Sequence, residues 1–134
     1  MKKPVALPDT NFILRYLLRD NEDQFAETSG YFELVRTGKA SALLLESVVV
    51  ECLYVLTKHY QVPRSEAAAS LSGILLYKGI INLDREALVR ALSLFGEGTL
   101  DPVDCVLAAK SADGLTLLTF DKALARCATK ANKP

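Results

Sequence analysis

The chain contains no tryptophan, one histidine (His59) and three cysteines at wide spacing (Cys52, Cys105 and Cys127). That scarcity excludes the closely spaced Cys/His sets of structural zinc centres. An odd number of cysteines, each among apolar neighbours, also excludes a disulfide framework and fits buried free thiols in a reducing compartment. Net charge is lacking too: 16 Lys and Arg balance 16 Asp and Glu. Such a balance argues against a broad electrostatic grip on nucleic acid, though a local basic path needs no net charge. No apolar run reaches the roughly 18 residues of a membrane span. The opening MKKPVALPDT is basic at its start but has no sustained apolar segment, so no signal peptide is expected and a cytoplasmic location is.

What the sequence has is apolar content, half of its 134 residues, with no visible repeat or linker. This fits one domain over 1–134 that buries roughly two-thirds of its unfolded surface. Four short apolar runs read as strands: 5–7, 41–45, 80–83 and 115–120. Between them lie helical patterns. Ile13, Leu14, Leu17 and Leu18 share one side of a helix over 12–18. A second helix starts at Asp20 or Asn21 and stops at Gly38. A long, nearly all-apolar helix covers 46–60. Another begins near Pro63 or Ser65 and ends at Gly79. A helix over 84–95 is capped by Asp84. After the loop GEGTL, Asp101 at the N-cap and Pro102 at the first helical position open a helix ending at Gly114, and a last short helix follows Asp121. Strands alternating with helices predict an α/β domain with a mainly parallel sheet, whose ligands bind at the carboxyl ends of the strands.

The acids follow that rule. Asp9 ends the first strand and Asp121 the fourth, each opening a helix. Asp101 and Asp104 share a face of the helix that feeds the fourth strand. Glu51 sits between Val50 and Cys52 in a helix with little other charge. Each Asp has a plain alternative as a helix cap or dipole residue. On one rim, however, carboxylates repel: at 4 Å and an effective dielectric of 20, a like-charged pair costs about 4 kcal/mol. Such a cluster either keeps protons or holds cations. With no histidine beside the acids in sequence, hard oxygen donors suit Mg²⁺ or Mn²⁺ and phosphodiester chemistry rather than zinc.

With PDTNFILRYLL, ESVVVECLYVL, LDPVDCVLAA and LLTFDKAL in this order, nearly the whole chain resembles a PIN-domain ribonuclease, in particular the VapC-type toxins of toxin–antitoxin pairs. The resemblance implies a three-layer α/β/α fold with a central, mainly parallel sheet of four to five strands. It implies a Mg²⁺- or Mn²⁺-dependent endoribonuclease with Asp9, Glu51, Asp104 and Asp121 as metal-binding acids. Asn11 would support Asp9, Thr119 would border the site, and Asp101 stays a cap candidate beside Asp104. Arg15, Arg19 and Lys122 would steer RNA. A homodimer and a small cognate antitoxin are the implied partners. Two other folds fit less well. A haloacid-dehalogenase-like phosphatase needs an acid where Asn11 stands. A receiver domain needs an Asp after the third strand and an acidic pair at the first, whereas the chain has no Asp between Asp23 and Asp84. A general RNA-processing nuclease and a catalytically silent interaction module stay open.

Overall fold

The computed structural model describes residues 4–131, so both ends of the 1–134 span expected as one domain lie outside the described residues. Val5–Ala6 form β1, which pairs in parallel with β2, Ser41–Ala42, in the register Val5↔Ser41 and Ala6↔Ala42. A parallel pair needs a crossover, and here two helices provide it. α1 (Thr10–Leu18) buries Ile13 and Leu14 and ends at Arg19 in the left-handed conformation. α2 (Glu22–Thr37) starts where the Asn21 side chain accepts from Gln24 N–H at 3.0 Å and stops at Gly38, with φ +85°.

α3 (Glu46–Tyr54) follows β2, but the single helix expected over 46–60 does not continue regularly. Val55–His59 widen into a π turn, with the Thr57 hydroxyl bonded to Leu53 O at 2.7 Å. Such turns mark a residue inserted into the helical ladder. α4 (Arg64–Leu75), α5 (Arg85–Glu97), α6 (Pro102–Ser111) and α7 (Lys122–Ala131) complete the order. Asp84 stands at the start of α5 as expected, yet its carboxylate does not cap the helix. It accepts from Asn82 Nδ2 at 3.0 Å and lies 3.7 Å from Lys110 Nζ.

The molecule is mostly helical, with a small parallel sheet; among the described residues the sheet has two strands rather than four to five. The third apolar run is reduced to one parallel bridge, Ala42↔Ile80. The reason is Asn82. Its side chain donates to Leu44 O at 2.7 Å and accepts from Leu44 N–H at 2.9 Å. These are the two groups a longer third strand would have paired with. In the fourth run, Leu115, Leu118 and Phe120 are exposed and no ladder forms among the described residues. Gly114, with φ +84°, turns the chain out of α6, and the Thr119 hydroxyl accepts the Asp121 N–H at 3.0 Å. This local side-chain bond competes with strand pairing.

The main core gathers Ile13, Phe32, Val35, Leu44, Leu71, Leu88 and Phe95 from α1, α2, the segment after β2, α4 and α5. A smaller cluster, Ala108, Leu124 and Ala128, joins α6 to α7. None of the described helices is long and apolar enough to cross a membrane.

Candidate functional site

Asp9 occupies the junction between β1 and α1. Pro8 before it is buried, and Asp9 itself is exposed with an extended backbone (φ −86°, ψ 175°). Its Oδ1 accepts from Phe12 N–H at 2.8 Å, so the carboxylate caps α1 and is held in one orientation. It stands between two cavities. One of about 360 Å³ is walled by Ala6, Leu7, Pro8, Phe12 and Tyr31 as well as Asp9. The other, of about 240 Å³, is polar, with Asn11, Arg15 and Glu27 in its wall.

Glu51 lies on α3 and is exposed, although its neighbours Cys52 and Leu53 are buried. Cys52 ties it to Asp9. Burial pushes the Cys52 thiol up from 9.0 to about 12; the charges of Glu51 and then Asp9 add to the rise, and the Thr10 hydroxyl opposes it. Asp9 stands at the N-cap of α1 and Glu51 on α3, and these two helices pack against each other.

The remaining acids sit elsewhere on the same logic of helix starts. Asp104 is in the first turn of α6 and half-buried. Asp101 has the extended backbone of an N-cap, yet among the described residues its side chain makes no capping bond. Next to them Cys105 is raised from 9.0 to about 11, first by burial; the Arg64 charge lowers it, and Cys127, Asp104 and Asp101 raise it. Asp121 caps α7, its Oδ1 accepting from Leu124 N–H at 3.0 Å, with Thr119 bonded to its backbone.

Three groupings result: Asp9 with Glu51, Asp101 with Asp104, and Thr119 with Asp121. Among the described residues no three His, Cys, Asp or Glu side chains come together as a metal-ligand set. The donor chemistry fits a hard divalent cation; the geometry does not gather the donors. The fold explains the gap, because Asp121 follows a run that has not joined the sheet and is placed by α7 instead.

The expected RNA-steering cations differ in their freedom. Arg15 donates to both oxygens of Asp20 at 2.7 Å and to the Tyr60 hydroxyl at 3.0 Å. The Arg19 guanidinium lies 4.9 Å from the centre of the Phe25 ring. Lys122 is exposed at the start of α7. Asn11 is exposed in the wall of the polar cavity, while the Asp9 carboxylate is held by a backbone N–H.

Sequence reasoning missed Asn82, Lys110 and Arg64. Lys110 on α6 bridges Glu46 of α3 at 2.6 Å and Asp84 at 3.7 Å. Arg64 bonds to the carbonyls of Phe95 and Leu100. Only Asn82 carried a signal, as the polar residue inside the run IINL.

No curated protein and no solved structure matches the chain. The family model described as the PIN domain matches residues 6–130. PIN domains are generally nucleases that use divalent metal ions. With its match running from β1 into α7, the chain belongs to the PIN domain family.

Proposed function

We propose that this PIN domain is a Mg²⁺- or Mn²⁺-dependent endoribonuclease, the toxin of a type II toxin–antitoxin pair, acting as a homodimer restrained by a small cognate antitoxin. The observation that supports the reading is that the Asp9 carboxylate is held in one orientation at the carboxyl end of β1, at the start of the helix that packs against α3, which carries Glu51. In this reading Asp9, Glu51, Asp104 and Asp121 would hold the cation, which would supply Lewis-acid stabilisation of charge on a phosphate. The chain's own contribution is to orient these acids: the caps at α1 and α7 fix Asp9 and Asp121. Asn11 and Thr119 support their neighbours, Asp101 flanks Asp104, and Arg19 and Lys122 meet the RNA backbone, Arg15 joining them on leaving Asp20.

The test is cleavage of an unstructured RNA pool by purified, antitoxin-free protein with Mn²⁺ or Mg²⁺. Cleavage that EDTA abolishes is expected. A second reading, a silent interaction module, draws on the separation of the acids into three groupings. Absence of cleavage across the pool with either metal selects it.

The same reading includes a fuller fold, with four to five strands in three layers. Its support is the exposure of Leu115 (62 %), Leu118 (88 %) and Phe120 (107 %), which a further strand would cover. In hydrogen exchange, the amides of 115–120 are then expected to exchange at least about 10²-fold slower than free peptide. Free-peptide rates across all six would limit the sheet to its two strands.

A further inference from the structure

Arg64, the first residue of α4, is half-buried and reaches across to the connection between α5 and α6. Its Nε donates to Phe95 O at 3.0 Å and its Nη2 to Leu100 O at 2.6 Å. The guanidinium carbon lies 3.7 Å from the centre of the Phe95 ring. Phe95 belongs to the last turns of α5, and Leu100 immediately precedes Asp101. One planar side chain therefore pins both ends of the segment GEGTL, whose two glycines would otherwise leave it conformationally free.

The pinned end leads straight into the acids. Leu100 O also accepts the Cys105 thiol at 3.7 Å, and Asp101 O accepts Cys105 N–H at 3.0 Å. These bonds close the first turn of α6, which carries Asp104. The approach of α4 to the end of α5 depends on Gly96, where a Cβ would stand 3.2 Å from Ala68 Cβ and 3.4 Å from Ser65 Cα. Lysine could not replace the arginine, because the fork, the second carbonyl bond and the ring stack all need the planar guanidinium.

We propose that Arg64 is a positioning residue for Asp104: by clamping Phe95 O and Leu100 O it sets where the first turn of α6, and with it the third acid, stands relative to the site. The proposal rests on the nuclease reading, so the experiment separates the two. Arg64→Lys, Arg64→Met, Asp104→Asn and the double variant Arg64→Met/Asp104→Asn are compared with the unmodified protein. RNA cleavage with Mn²⁺ is measured as kcat and KM, and folding is followed by far-UV circular dichroism. Either Arg64 variant is expected to lower kcat by about 10- to 100-fold with KM little changed, as a misplaced reacting group does. In the Asp104→Asn background the Arg64 substitution is expected to add nothing, because it acts through Asp104. A readout independent of activity accompanies this. Alkylation of Cys105 and amide exchange at Asp101–Cys105 should both speed up in Arg64→Met, with the helical signal retained.

Full activity in Arg64→Lys, or Arg64 and Asp104 effects that multiply, would overturn the positioning role while leaving the nuclease reading intact. An unmodified protein that does not cleave RNA overturns the nuclease reading and the proposal with it. Unchanged Cys105 alkylation and amide exchange in Arg64→Met would overturn the clamp itself.

Discussion

Gly79→Ala is expected to destabilise the protein by about 3–5 kcal/mol, at the upper end of what overpacking costs. Gly79 is buried where the segment after α4 passes β2 and the end of α2. Its N–H donates to Val35 O at 2.7 Å, and its carbonyl accepts Ala42 N–H at 2.9 Å. A Cβ added there would stand 2.0 Å from Ala40 O and 2.7 Å from Val35 O. Both are backbone atoms, so no side chain can swing aside. Relief requires separating Gly79 from Val35 or Ala40, which breaks the bonds that seat Ile80 beside β2. Domains of this size have about 5–15 kcal/mol in total, so the loss should appear as a fall of roughly 10–20 °C in Tm. Gly30→Ala and Gly73→Ala serve as controls, because a Cβ meets nothing within 4 Å at either helical position. Each should hold or raise stability by about 0.5–1 kcal/mol. A Gly79→Ala variant melting within about 3 °C of the parent would show that the close approach does not govern stability.

Asp9→Asn should remove RNA cleavage while leaving the fold in place. Asp9 caps α1, and in the proposed reading it would have a second role, to hold the cation. Asparagine keeps the first, since its side-chain oxygen accepts from Phe12 N–H as well as a carboxylate does. It lacks the charge that the second needs. Cleavage should therefore fall on the order of 10²–10³-fold, equivalent to several kcal/mol of transition-state stabilisation, with stability within about 0.5 kcal/mol of the parent. Asp9→Ala loses both roles and should also cost about 1 kcal/mol of stability. The contrast matters more than either value. If Asn retained cleavage and Ala lost it, Asp9 would be a structural cap alone.

Helix ends were the most readable part of the sequence, because capping is local. Asn21 and Gly38 bound α2 as their chemistry predicts, and Pro63 stands at the N-cap position of α4. Caps whose partners lie far along the chain were not readable. Asp84 looks like a cap beside Arg85, but it turns to Asn82 and to Lys110, which is 26 positions away. The extent of the sheet was less readable for a related reason. Hydropathy reports that Ile80–Leu83 and Leu115–Phe120 are apolar; it does not report what their N–H and C=O groups meet. Asn82 took those groups of Leu44 in one case, and Thr119 offered Asp121 a local bond in the other. Within the site, Asp9 and Asp121 proved to cap their helices, whereas Asp101, with its stronger sequence signature before Pro102, did not. Arg64 was out of reach because its partners are carbonyls, which leave no mark in sequence.

The pairing of Arg15 with Asp20 and Tyr60 bears on how a polyanion arrives. The basic group nearest Asp9 in the polar cavity is already neutralised, and the chain as a whole carries no net charge. If the proposed nuclease reading holds, RNA would approach this rim without long-range attraction. Encounter would proceed at the unsteered rates of ordinary docking, about 10⁵–10⁷ M⁻¹s⁻¹. Affinity would then follow ionic strength only weakly, because few counterions would leave the RNA on binding. Selection among RNAs would fall to how long each complex survives, through short-range fit beside Asp9, and not to how fast it forms.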